Sequence, residues 1–306
     1  MTALGLGVLI TGSQGVAAET KKRRFTIDLC PGRLGVNSGQ LQTIELAAKY
    51  GFESVEPVGW FLAEQSKAEL ETVKSILHDH RLAWGAAGLS VNFRKDNATF
   101  TKELGELPKI AKGLSAVGVE RIGTWIMPCH DTLTYRKNFD QHATRLRAVA
   151  KILKDFGIRL GLEYVGPRTL WSSKRYPFLH SMAETKELIT AIGTGNVGFV
   201  LDSWHWYTAE ETLADLQSIT ADQIVAVDLN DAPGGLDVRD QIDNQRELPA
   251  ATGVIDVTTF LRALVDLGYD GPVRAEPFNQ PLNKMDNEPA VEATANAIRK
   301  AIEMIN

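Results

Sequence analysis

Val197-Gly198-Phe199-Val200-Leu201-Asp202-Ser203-Trp204-His205 is the stretch whose reading decides the fold. Phe199, Val200 and Leu201 form an apolar run of strand type. Asp202 stands at its C-terminal edge, and His205 lies in the turn just beyond. A buried strand that delivers a carboxylate and then an imidazole to its exit is a common way to place ligands at the mouth of a barrel. Alone, the pattern also describes an aspartate capping the next helix and an ordinary loop histidine. Three other strands that end in carboxylates favour the first reading.

Outward from this stretch, strands and helices alternate from Phe25 to the C-terminus. The other strands are expected at 25–29, 54–58, 82–89, 121–126, 158–163, 224–229 and 273–276. Apolar residues between them recur at helical spacing, as in Leu70, Val73 and Leu77 or Phe260, Leu261, Leu264 and Leu267. Helix starts are marked by Ser66 with Glu69, Ser181 with Glu184, Thr208 with Glu211, and Asp256. Strands that alternate with helices form a parallel sheet, because each parallel neighbour needs a crossover. Eight such units predict a single-domain α/β fold, a closed (β/α)8 TIM barrel over residues 25–306. No GxGxxG follows the first strand, which weakens the case for an open doubly wound sheet.

The chain has 306 residues, enough for one such barrel. With 33 basic and 38 acidic residues and no dense basic patch, nucleic acid is not an expected partner. Cys30 and Cys129 form no CxxC pattern and read as packed thiols, although a bridge between them is allowed. Residues 1–24 read as a leader and basic linker. Ala3 to Ile10 is apolar, and Val16-Ala17-Ala18 resembles a secretory cleavage site, although no basic residue precedes Lys21. A working signal would place the protein in the periplasm or outside the cell; otherwise it is cytoplasmic. The apolar run is too short to span a bilayer.

The strand ends carry the chemistry. The fifth strand ends in Glu163, the sixth in Asp202, the seventh reaches Asp228, and the eighth ends in Glu276. Four carboxylates at one mouth would repel one another unless protons or a cation intervene. An all-oxygen donor set suits one divalent metal, Mn²⁺ or Mg²⁺.

The sequence resembles the xylose isomerase-like TIM barrels, a family of sugar epimerases, keto-sugar isomerases, inosose-processing enzymes and an endonuclease branch. The resemblance rests on Glu163, on Asp202 with His205, and on Leu229-Asn230-Asp231-Ala232-Pro233. It also rests on Arg246 ahead of Thr252-Gly253-Val254-Ile255-Asp256, and on Gly268-Tyr269-Asp270-Gly271-Pro272 before Glu276-Pro277. It implies a metal held by Glu163, Asp202, Asp228 and Glu276, with Glu163 and Glu276 as the catalytic pair that moves the substrate proton. It implies that His205 contacts substrate, and Arg246 matches an arginine of related sequences. The family usually has histidine where this chain has Asp228, so Asp228 either ligates in its place, or His205 swings in, or the site is degenerate.

The expected activity is that of a divalent-metal sugar isomerase or epimerase. Removing a proton beside a carbonyl makes an enediolate, which a metal ion stabilises as a Lewis acid while carboxylates take and return the proton. The same constellation permits elimination, so a lyase or dehydratase of keto-glycoside type is the alternative. A non-catalytic sugar-binding barrel is a third reading. The endonuclease branch is disfavoured by the negative charge and the six histidines, mostly on helices. Trp60, Trp125 and His130 are expected to contact a small sugar or keto-sugar, and a homo-oligomer is compatible with this reading.

Overall fold

The computed structural model describes residues 21–305. The expected signal segment lies outside the described residues. The strands are β1 (Thr26–Leu29), β2 (Ser54–Val55), β3 (Ala83–Trp84), β4 (Ala87–Gly88), β5 (Arg121–Trp125), β6 (Cys129–His130), β7 (Arg159–Glu163), β8 (Tyr176–Pro177), β9 (Val197–Asp202), β10 (Ile224–Asp228) and β11 (Pro272–Arg274). Nine of them form one parallel sheet in the order β3-β2-β1-β11-β10-β9-β7-β5-β4. Its two ends, β3 and β4, are joined through Gly85 and Ala86 alone, so the sheet closes on itself as a TIM barrel. β6 and β8 pair antiparallel outside this sheet.

The strand expected at 82–89 is thus two short pieces, one paired with β2 and the other with β5. The break has a local cause. A Cβ at Gly85 would come within 2.3 Å of Asp28 Oδ1, so the chain passes the barrel interior only without a side chain there.

The buried strands are apolar because both faces are covered, one by the barrel interior and one by helices. All five residues of β10 are buried. The helix Val257–Leu267 shows the outer layer: Val257, Phe260, Leu261, Ala263 and Leu264 face inward. Each fully buried aliphatic side chain contributes about 1.5–3 kcal/mol. Ser66, Ser181 and Asp256 cap their helices as the sequence suggests. Thr208 does not. It is the last residue of the helix Ser203–Thr208, where its hydroxyl bonds back to Trp204 O, so it cannot take the extended backbone of a cap. The helix Leu213–Gln217 starts instead at Thr212, paired with Asp215. Glu211 turns inward to accept from Met182 N at 2.6 Å and from the Tyr164 hydroxyl. Cys30 and Cys129 are buried free thiols. Among the described residues no helix is long and apolar enough to cross a membrane.

Candidate active site

Side chains alternate along a strand, so residues two apart share a face. Val200 with Asp202, Ala226 with Asp228, and Arg274 with Glu276 all point into the barrel mouth by this count. Cross-sheet register makes Asp228 the direct neighbour of both Asp202 and Arg274. Small residues below leave space: a Cβ at Gly123 would lie 3.0 Å from Val200 Cγ2 and 3.7 Å from Arg274 Nη2.

Glu163, Asp202, Asp228 and Glu276 are all buried and converge. Oxygens of Glu163, Asp228 and Glu276 lie within 4.8 Å of one another, as do ligand atoms of Glu163, Asp202 and His205. Proximity alone would let either group hold an ion. The bonding of the individual oxygens shows what else is present.

Arg274 donates from Nε to Asp228 Oδ1 at 2.7 Å and from Nη2 to Oδ2 at 3.4 Å. Arg33, on the turn Pro31–Leu34 after β1, brings Nη1 to 3.1 Å from Asp228 Oδ2 and into contact with Glu276 Oε1. Neither Arg33 contact has hydrogen-bond direction, so this nitrogen sits between two carboxylates as a charge. Arg246 Nη1 donates to Asp202 Oδ2 at 2.7 Å and to Glu276 Oε2 at 3.2 Å. Asp202 Oδ1 accepts from Trp204 N at 2.8 Å and Asn230 Nδ2 at 2.9 Å. Every oxygen of Asp202, Asp228 and Glu276 thus meets a donor nitrogen. Glu163 is different: its Oε1 is buried with no partner.

The electrostatics follow. Burial, with Glu276, Asp228 and Asp202 beside it, raises the Glu163 carboxyl well above the ordinary range. Burial pushes Asp202 up to about 7 against the opposing Arg246 charge. Burial also acts on Asp228, but the Arg274 and Arg33 guanidiniums outweigh it and hold Asp228 below the ordinary value. Burial and the nearby Arg246 charge keep His205 neutral.

His205 Nε2 lies 3.9 Å from Glu163 Oε1 and 3.8 Å from Asp202 Oδ2. Its ring faces two donors at 3.2 Å, Gly166 N at Nδ1 and Arg246 Nη2 at Nε2. A neutral imidazole has one acceptor nitrogen, so only one of these bonds can be made at a time.

The segments that follow β10 have a structural job. Asn230 Nδ2 holds Asp202, while its Oδ1 accepts from Glu276 N at 2.8 Å. Asp231 receives four backbone N–H groups, from Ala232, Ile255, Thr252 and Gly253, at 2.7–3.0 Å. It also pairs backbone to backbone with Glu247 at 2.9 Å in both directions. This latch fixes the neighbour of Glu247, Arg246, over the acids.

Of the remaining candidates, Trp125 ends β5 next to Glu163, one of the four acids, in the sheet and is 42% exposed, with the Arg94 guanidinium 4.1 Å from its ring. Trp60 is exposed on the helix Gly59–Glu64. His130 Nδ1 accepts from Thr132 N and Leu133 N at 3.0 and 2.9 Å, so that nitrogen caps its own turn.

Arg33 and Arg274 have no role in the sequence reading, and Asn230 enters it only as part of the Leu229–Pro233 segment. Arg274 carried a signal: a charged residue inside an apolar strand, two positions before Glu276 and in register with Asp228. Arg33 carried none, since a turn arginine gives no indication that it folds over the mouth.

A parallel α/β barrel with acids gathered at its mouth sets the class of fold, and comparison places the chain in a family within it. The model of the family described as xylose isomerase-like TIM barrel matches residues 44–304. The chain belongs to that family. It is 23% identical over 275 residues to an inosose isomerase of Bacillus velezensis, covering 87% of this chain and 92% of that protein. A xylose isomerase domain protein from Alicyclobacillus acidocaldarius superposes with a TM-score of 0.80 at 31% identity, covering 92% of this chain and 99% of that one. The IOLI protein, whose crystal structure has a bound zinc atom, superposes with a TM-score of 0.75 at 19% identity, covering 92% and 99%.

The family thus raises the question of whether these residues fit a divalent ion. The unpartnered Glu163 Oε1 is suited to one. The other oxygens are less so: each keeps a second lone pair, but the Arg33 and Arg246 guanidiniums already sit between the acids, where an ion shared by them would stand. As folded, the donor set does not fit a free divalent ion.

Proposed function

We propose that the protein is an enzyme that moves a proton at the carbon beside a carbonyl of a sugar or cyclitol ketone, isomerising or epimerising it. The observation that carries this reading is Glu163: a buried carboxyl with a bare oxygen, raised in proton affinity, close to Glu276 and His205. A carboxyl whose proton affinity is raised in this way is a stronger base than a free carboxylate and suits proton abstraction.

In the proposed step one glutamate takes the C–H proton and the electron pair moves into the carbonyl, leaving charge on its oxygen. In epimerisation the other glutamate returns a proton to the same carbon from the opposite face; in isomerisation the proton returns to the former carbonyl carbon while the neighbouring hydroxyl passes its proton to the charged oxygen and becomes the new carbonyl. Fixed donors aimed at that oxygen lower the barrier without reorganising. His205 and Arg246 are the donors at hand. The double-donor conflict at the His205 ring is removed when a substrate oxygen takes Arg246 Nη2, leaving Nδ1 to accept from Gly166 and Nε2–H to donate. Trp125 is proposed to offer its exposed edge to the sugar. The sequence-based ion, Mn²⁺ or Mg²⁺ on the four carboxylates, would require Arg33 and Arg246 to withdraw, and no step here uses it.

The test is turnover of inosose and simple ketoses by Glu163→Gln and Glu276→Gln. Each is expected to fall by roughly a hundredfold or more, as for loss of a positioned acid–base group. Near-normal rates in either variant would refute the paired-glutamate mechanism.

A further inference from the structure

We propose that Arg33 and Arg246 are the resident cations of this acid cluster, standing where a divalent ion would stand, and that the wild-type cluster therefore binds no tight divalent ion. The proposal rests on the proton-transfer reading only for what these groups then do in turnover.

Position is the first argument. Glu163, Asp228 and Glu276 are near enough to share an ion, and Arg33 Nη1 lies against two of the three, 3.1 Å from Asp228 Oδ2 and touching Glu276 Oε1. Its contacts are undirected, as those of an ion are. Arg246 does the same for the neighbouring pair, bridging Asp202 Oδ2 and Glu276 Oε2 at 2.7 and 3.2 Å.

Charge is the second. Four carboxylates face three guanidiniums, counting Arg274 beneath Asp228. Guanidinium does not deprotonate in proteins, so these charges are permanent. The one acid with no arginine contact is Glu163. A divalent ion entering this balance would have to expel a chain-tethered cation to reach its ligands.

Sequence is the third. The aspartate at 228 makes chemical sense beside Arg274 and Arg33. A histidine there could accept one bond when neutral, and could not offer two oxygens to two guanidiniums. Asp228, Arg274 and Arg33 therefore form one interlocking set of charges. An arginine cluster can still stabilise an enediolate, since forked N–H donors suit a developing oxyanion.

The experiment is metal uptake, measured without turnover. Full-length protein is equilibrated with Mn²⁺, passed through gel filtration, and analysed for manganese per chain, with melting temperature recorded with and without Mn²⁺. Wild type is expected to emerge without stoichiometric Mn²⁺ and to show no shift in melting. Arg33→Met, which frees oxygens of Asp228 and Glu276 beside Glu163, is expected to gain about one ion per chain and to melt higher with Mn²⁺, because a ligand of the native state alone stabilises it. Should that variant fail to fold by circular dichroism, Arg33→Gln is read in the same way. Wild type that retains one Mn²⁺ per chain overturns the proposal. So does a folded Arg33 variant that takes up no more Mn²⁺ than wild type. Either result leaves the role of Glu163 standing, whereas failure of proton exchange would remove that role and leave the metal result intact.

Discussion

Asp231 and Glu163 are both buried acids at the same mouth, one just past β10 and one at the end of β7. Asp231 receives four backbone N–H groups and a paired strand segment. Glu163 Oε1 receives nothing. Buried polar groups are nearly always satisfied, so a scaffold acid looks like Asp231 and an unsatisfied acid calls for another explanation. On the proposed reading, the difference separates the part of the mouth that holds shape from the part that reacts.

The comparison breaks first if Glu163 proves structural. Glu163→Gln should reduce turnover by about 10²–10⁴-fold while leaving the melting temperature unchanged or higher, because no partner is lost. A large drop in stability would make it a scaffold residue. Asp231→Ala should do the reverse, costing on the order of 3 kcal/mol in urea denaturation, since several backbone donors are left buried and unpaired. A stability within error of wild type would show that the latch is not what holds Arg246.

A smaller effect concerns pH. Asp202 is pushed up to about 7, so it holds its proton more tightly folded than unfolded. Its contribution to stability is complete below the unfolded value of 3.8 and is lost as pH rises through about 7. Asp202→Asn should therefore gain on wild type between about pH 5 and about pH 8, in paired urea melts. The opposite slope would mean that Arg246 holds Asp202 ionised throughout. The smallest effect belongs to Trp60. Trp60→Ala should change stability by less than about 0.5 kcal/mol, as expected for an exposed side chain, so a rise in KM would report contact with substrate alone.

Much of this molecule is legible in the chain because its elements obey local rules. The alternation of Phe199-Val200-Leu201-type runs with capped amphipathic helices gives the barrel, and strand ends give the four acids. The sequence pattern misleads where two local rules compete. Thr208-x-x-Glu211 reads as a helix start, but the short helix from Ser203 takes up Thr208 and moves the start to Thr212. What stays hidden depends on contacts between residues far apart in the chain. Arg33 meets Asp228 across almost two hundred positions, and nothing local marks it. The four acids are legible at the strand ends, while the arginines that balance them lie on other strands and loops.

Solvent exchange tests the central claim most directly. The wild-type protein is incubated in deuterium oxide with inosose or D-fructose, and the carbon beside the carbonyl is followed by proton NMR. The account predicts loss of that proton's signal at a rate that collapses in Glu163→Gln. Wild type that leaves the signal intact, or a variant that exchanges it as fast as wild type, would contradict it.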